Sequence, residues 1–355
     1  MRRATAAGVV AATLLAAALG SGCSTLGYYA QAAGGHLELM RKAQPVAEVE
    51  ADPATPARLR EQLKLSQRLR DFAITELKLP DNNSYRRYAD LHRNAVVWNV
   101  VAAPVLSLTL KTSCFPVMGC VGYRGYFSQA AADALASELR GEGYEVDVYG
   151  VPAYSTLGWS RWLGGDPLLN TFIGWPEDDL ARLIFHELAH QVAYASDDTT
   201  FNESFAVAVE RIGSRLWLER QGTPESRANA ERGQSRRADF KALTQRWRSR
   251  LEDLYASDLP EPAKLARKAE MMAALRQEYA ELKTARWGGF AGYDAWMARA
   301  NNATFGVQAV YDDLVPAFEH LFSQSGGDFS DFYTRVQALA ALPKAQRRAK
   351  LDPAP

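Results

Sequence analysis

Two of the five histidines in this 355-residue chain stand one helical turn apart, in His186-Glu187-Leu188-Ala189-His190. Imidazoles at that spacing lie about 40° apart on one helix face and can grip one divalent cation. Glu187, about 100° round from His186, can lean toward water beside such a cation. At this composition the pattern His-Glu-x-x-His is expected by chance about 0.004 times. The alternative is two histidines satisfied in a helical core. His36, His92 and His320 have no ligand-like spacing to one another.

A catalytic metal site needs a third protein ligand and an open position. A third histidine six residues after His190 is excluded, because position 196 is Ser and position 193 is Ala, where that arrangement requires Gly. The next acids are Asp197, Asp198, Glu203 and Glu210. A new apolar helix opens after a short turn at Thr199-Thr200-Phe201-Asn202-Glu203, which makes the two helices antiparallel neighbours and brings Glu203 to about the depth of His190. Glu210, seven residues on and on the same face, stays open as the ligand. Glu203 also completes a capping box, Thr200-x-x-Glu203. Asp197 and Asp198 could orient a ligand histidine or cap the second helix.

The elements that must position these groups can be read from periodicity and punctuation. Pro176 followed by Glu177, Asp178 and Asp179 starts a helix, with Leu180, Ile184, Leu188 and Val192 forming an apolar stripe roughly opposite the histidines. Helices are expected at 176–195, 201–221, 225–256, 261–284, 289–299, 304–323 and 328–341, with no strand beyond Pro176. Upstream, a helix over 57–78 precedes a turn at Pro80-Asp81-Asn82-Asn83. Ala95–Val101 and Val105–Leu110 read as a candidate hairpin, 127–140 as a helix, and 144–149 as a half-buried strand. The expectation is an α+β, mostly helical fold: a small mixed sheet within 94–158, then a helical half in which Arg227–Lys283 forms a charged, projecting hairpin. In this scheme residues 58–175 form an α/β part, residues 176–355 a helical part, and residues 23–57 a tether.

Composition and the leader bound the function. Equal numbers of basic and acidic residues, 41 each, exclude the basic excess expected of a nucleic-acid binder, and 47% hydrophobic content excludes disorder. Arg2, Arg3 and the short apolar run Ala6–Leu19 form an export signal too short to span a bilayer in the usual way. It ends in Leu19-Gly20-Ser21-Gly22-Cys23, similar to a bacterial lipoprotein signal, although Leu stands four rather than three residues before the cysteine. Cys23 is then the lipidation site, residues 1–22 are removed, and Ser24 implies an outer-membrane anchor facing the periplasm. A cleaved secretory peptide with an incidental cysteine is the plainer alternative. In that oxidising space Cys114 and Cys120, separated by a stretch with Pro116 and Gly119, are expected to form a disulfide rather than a pair of metal ligands.

Asn202-Glu203-Ser204-Phe205-Ala206 is similar to the Asn-Glu-x-Phe-Ala segment that supplies the third zinc ligand in gluzincin aminopeptidases, although fewer residues separate it from His190 than in the large members. With Cys114–Cys120, Tyr123-Arg124-Gly125-Tyr126-Phe127, Tyr154–Trp159, Phe185–Gln191 and Asn301-Asn302-Ala303, the chain resembles a bacterial family of predicted zinc aminopeptidases carried as lipoproteins. The resemblance implies one Zn²⁺ per chain held by His186, His190 and Glu203, Glu187 as catalytic base, and a peptide substrate. A donor for the oxyanion is expected among Tyr194, Tyr123, Tyr126, Tyr154, Tyr311 and His320. Tyr154-Ser155-Thr156 is a candidate peptide-pairing edge strand, and Arg124 a candidate for a substrate carboxylate or a structural acid. The Gly-x-Met-x-Asn strand that holds the free amine in large relatives is not matched: Gly150-Val151-Pro152-Ala153-Tyr154 carries no acid. A periplasmic endopeptidase and a non-catalytic lipoprotein with a structural metal remain the other readings.

Overall fold

Prolines and short polar side chains start most of the helices, as the sequence predicts. In the computed structural model, which describes residues 28, 31–115, 119–153, 165–308 and 314–351, the fold is α+β and mostly helical. The readings on the leader, Cys23, Tyr154–Trp159 and Tyr311 lie outside those residues. Helix α1 covers 31–42. It is followed by β1 (Gln44–Pro45), α2 (Val46–Ala51), α3 (Ala57–Thr75), β2 (Arg87–Ala89), β3 (Val97–Ala103), β4 (Ser113–Phe115), β5 (Gly119–Val121) and β6 (Arg124–Tyr126). Then come α4 (Gln129–Gly141), β7 (Glu145–Val151), β8 (Leu168–Leu169), α5 (Glu177–Ala189), α6 (Thr199–Gln221), α7 (Pro224–Ala256) and α8 (Glu261–Trp287). The chain closes with α9 (Asp294–Arg299), α10 (Asn302–Gln308), α11 (Val315–Gln324), α12 (Phe329–Ala340) and α13 (Lys344–Leu351).

Strand pairing departs from the expected hairpin. Val105–Leu110 is not a strand; the alternating segment β7 takes its place against β3, antiparallel from Val97↔Val151 to Ala103↔Glu145. Pro104 breaks the strand, and the run after it packs Leu108 and Leu110 from an irregular path against the helical half instead of pairing in the sheet. β6 pairs on the other side of β3, so this sheet has the order β6-β3-β7 and is antiparallel throughout. Parallel pairing occurs instead between β2 and β8, in a second sheet of order β1-β2-β8. β4 and β5 pair with Cys114 opposite Cys120, and the two are joined by a disulfide.

One large apolar cluster unites distant parts of the chain: Leu39, Met40 and Val46 pack with Phe72, Leu169, Ile184, Phe205, Phe318, Phe332 and Leu351. The stretch read as a tether is therefore part of the core from α1 onward, because its apolar residues recur at helical spacing. A second cluster binds the α7/α8 hairpin to α9 and α10 through Phe240, Trp247, Leu275, Trp287 and Phe305. The hairpin is not a free projection. Lys268 on α8, 7% exposed, donates to Val105 O and Glu145, while Arg237 on α7 pairs with Asp178 and Asp179 at the start of α5. Among the described residues no helix is long and apolar enough to cross a membrane.

Candidate metal centre

Helix α5 is fixed at both ends. At its start Glu177 accepts from the Trp217 indole (2.7 Å), and Arg237 takes the other two first-turn acids. Burial raises the Asp179 carboxyl above its ordinary range in spite of that arginine. Its stripe Leu180, Ile184 and Leu188 is fully buried. The helix ends at Ala189 with His190 as its C-cap, six residues short of the expected 195. Gln191, just past the cap, donates to Ser84 Oγ (3.2 Å) and accepts from Asn82 Nδ2 (2.7 Å). The loop carrying those residues is held by buried Arg70, which donates to the carbonyls of Pro80, Asn82 and Ser84.

The return into α6 is set by two side chains. Asn202, 2% exposed, donates to Ala195 O and accepts from Ala195 N, both at 2.8 Å, closing the turn between the helices. Asp198 is the N-cap, accepting from Phe201 N, so Thr200 is not the cap and Glu203 is released from the capping box. Asp198 and Asp197 do not face the histidines: Asp198 pairs with Arg347 (2.9 Å) and Arg348 (2.6 Å), and Asp197 with Arg347 (3.0 Å).

That geometry brings His186, His190 and Glu203 together, one ligand atom from each lying within 4.8 Å of the others. His186 Nε2 is 3.2 Å from His190 Nε2 and 3.3 Å from Glu203 Oε2, and His190 Nε2 is 3.8 Å from Glu203 Oε1. Glu210, the other open ligand, lies on the far side of His186: its Oε2 is 2.9 Å from Nδ1, and its other oxygen pairs with Arg182. With Nδ1 donating to Glu210, the Nε2 lone pair points at His190 and Glu203. Acceptors facing one another at this range repel unless a cation or a proton lies between them, so the donor set fits a metal ion. The buried Nδ1 of His190 has no hydrogen-bond partner among the described residues, which leaves that ring nothing but the triad to satisfy it. Burial opposes charge on His186, yet its hydrogen bonds to Glu203 and Glu210 outweigh that and raise it to about 10. Burial and the charge on His186 pull His190 down to about 4. Glu187 is half-buried on the same helix.

Other residues enclose the triad, several of them not singled out from the sequence. Tyr85 is buried, holds a left-handed backbone (φ 63°), and its phenol is pushed well above its ordinary range by burial and then by Glu187 and Asp166. A bulky residue in that conformation is a true outlier, held here by Tyr85 N donating to Asp166 O and Gln67 donating to Tyr85 O. Tyr123 is 40% exposed as a residue, yet burial first, and then Tyr149, Tyr28, Glu203 and Tyr194, raise its phenol to about 12, so the hydroxyl is within electrostatic reach of the Glu203 carboxylate. Tyr194 is off the helix in the turn, half exposed, and within electrostatic reach of Glu203. Asn99 on β3 donates to the Tyr149 hydroxyl on β7 (3.3 Å), giving the sheet a polar patch on that side. Arg124 stacks over Tyr28 (5.1 Å) and Tyr126 (5.7 Å), and His320 lies on the surface against Gln324. Spacing marks Glu210, two helical turns after Glu203, as a possible ligand, whereas no periodic signal in the sequence marks Tyr85, Asn99 or Tyr149.

The family described as "Putative aminopeptidase" matches residues 27–351. No curated protein and no solved structure shows significant similarity.

Proposed function

The chain belongs to this putative aminopeptidase family, and from that premise we propose that it is a zinc-dependent aminopeptidase whose metal is held by His186, His190 and Glu203. The observation that carries the reading is the convergence of those three side chains, with Glu210 fixing the tautomer of His186 from behind. Bound there, Zn²⁺ supplies Lewis-acid polarisation of a carbonyl and makes water a better acid. Glu187 accepts the proton of the attacking water as the water oxygen bonds to the carbonyl carbon, and passes that proton to the departing amine nitrogen as the C–N bond breaks. Tyr123, kept protonated by a phenol pKa of about 12, donates to the carbonyl oxygen as it gains charge. Tyr194, nearer to solvent, borders the same space.

The leader supports a cell-envelope location. Arg2, Arg3, the run Ala6–Leu19 and Cys23 support export and lipidation at Cys23, with residues 24 onward facing the periplasm, and the Cys114–Cys120 disulfide suits that compartment. Loss of metabolic lipid labelling in Cys23→Ser tests the anchor.

The test of the activity is metal content and hydrolysis by residues 24–355, with free and N-acetylated peptides, for the parent and for Glu187→Gln. About one zinc in both proteins, hydrolysis of free N-termini by the parent, and loss of turnover in the variant are expected. Equal cleavage of acetylated peptides would make the protein an endopeptidase. Zinc bound without turnover on any peptide would leave a structural metal in a binding protein.

A further inference from the structure

β6 is an outer strand of the sheet order β6-β3-β7, and it runs directly on from Tyr123, whose phenol is within electrostatic reach of Glu203. An edge strand so placed is where an extended peptide adds by backbone hydrogen bonds. Its outward groups are already occupied by the N-terminal segment. Gly125 N donates to Tyr28 Oη (3.3 Å), Gln31 Nε2 donates to Gly125 O (3.2 Å), and Phe127 N donates to Gln31 Oε1 (3.1 Å). The Gln31 carboxamide thus makes the two bonds that a peptide backbone laid along this edge would make.

The segment is held firmly. Tyr28, 8% exposed, meets the Tyr126 ring edge-on at 5.8 Å and carries the Arg124 guanidinium over its face at 5.1 Å. Gly35 on α1 lies so close to Phe127 that a Cβ there would fall 2.1 Å from its ring. On the strand itself Gly125 has no side chain, and a Cβ would meet Val97 and Asn99 at 3.0 and 3.1 Å. The edge is therefore closed from Gly125 on, while among the described residues no such side-chain bonds are seen at Tyr123.

We propose that Tyr28 and Gln31 are specificity-determining residues: they close the β6 edge, so that a peptide bound at the triad ends at this plug and cannot continue along the strand. The inference rests on the peptidase reading and gives it a physical cause for selecting chain ends in place of the amine anchor that the sequence lacks. Arg124 takes part by stacking on the plug.

Binding separates the two claims. In zinc-loaded protein carrying Glu187→Gln, anisotropy is measured with C-terminally labelled peptides that either have a free N-terminus or are acetylated and extended at that end. Gln31→Ala and Tyr28→Ala are expected to tighten binding of the extended, acetylated peptide at least about tenfold and to change the free peptide less than about threefold. With Glu187 restored, the same variants gain cleavage of acetylated peptides. Gln31→Met, which keeps the volume and loses both hydrogen bonds, replaces Gln31→Ala if the latter unfolds. Equal binding of both peptides by the parent, or variants that fold normally and show no gain, would overturn the inference while hydrolysis of free peptides by the parent keeps the peptidase reading. The binding difference without turnover in any protein would do the reverse.

Discussion

Glu210 separates holding a metal from orienting what holds it. Spacing favoured Glu203 as the ligand without excluding Glu210, and only the geometry puts Glu210 on Nδ1 of His186, with Arg182 on its other oxygen. A carboxylate in that position fixes the tautomer and strengthens the ligand, and its loss typically weakens metal about 10- to 100-fold. Glu210→Gln is therefore expected to lose zinc affinity by about that factor in chelator competition, with unchanged circular dichroism; unchanged affinity would mean that Arg182 and Glu210 serve packing alone. Tyr123→Phe removes the proposed oxyanion donor, and its kcat should fall roughly 10²- to 10³-fold with zinc content intact, whereas Tyr194→Phe should change it far less. His186, Glu187 and His190 were legible because one helix repeats them at a fixed angle. Tyr85 was not, since it comes from a loop held by Asp166 and Gln67, bonds that no local pattern announces.

The turn between α5 and α6 decides whether Glu203 meets the histidines. Asn202 satisfies both the N–H and the C=O of buried Ala195, so Asn202→Ala leaves two backbone groups unpaired and should cost about 2–4 kcal/mol in denaturant unfolding, along with most of the bound zinc. Asp198 adds a pH dependence. Burial opposes its charge, but Arg348, the Phe201 N–H and Arg347 together hold its carboxyl below the ordinary value of 3.8. A depressed folded-state pKa contributes stability that is complete above the unfolded value and fades as pH falls through the folded one. Asp198→Asn should be less stable at pH 7, and its loss of stability below about pH 4 should be shallower than the parent's, as read by thermal melts in acid. Equal acid slopes would remove Asp198 from the account. The helices here were legible from Pro176, the first-turn acids and the apolar stripe; their exact ends were not, because Gln191 is drawn to Asn82 and Ser84 just past α5 and the N-cap Asp198 is held by Arg347 and Arg348. For the same reason β3 and β7 were found while the partner of β3 was misassigned: a strand's own alternation does not say which of several short apolar runs pairs with it.

At the scale of the molecule, the two ends of the chain brace the centre. Residues from α1 and α13 share one core with α5 and α6, so the division into tether, α/β part and helical part does not describe how apolar surface is buried. Composition along the chain could not reveal this, since Leu39 and Leu351 become neighbours of the same cluster only after everything between them has folded. The sharpest consequence lies at the C-terminal end. Arg347 on α13 is 2% exposed, donates to the carbonyls of Ala340 and Leu342, and with Arg348 neutralises Asp198, whose side chain is fully buried. Ending the chain before Lys344 would strand that carboxylate in the interior at the first turn of the helix that presents Glu203. Breaking a buried pair from one side costs about 3–5 kcal/mol, and the cost falls on the metal helix rather than on the deleted one. A chain truncated after Pro343 is thus expected to melt at a markedly lower temperature and to bind zinc more weakly, although no removed residue touches the triad. Adding Asp198→Asn to the truncated chain should recover part of the loss, because the stranded charge is gone. A truncated protein with parental zinc affinity, or one that Asp198→Asn does not rescue, would show that the C-terminal helix covers the core without supporting the site.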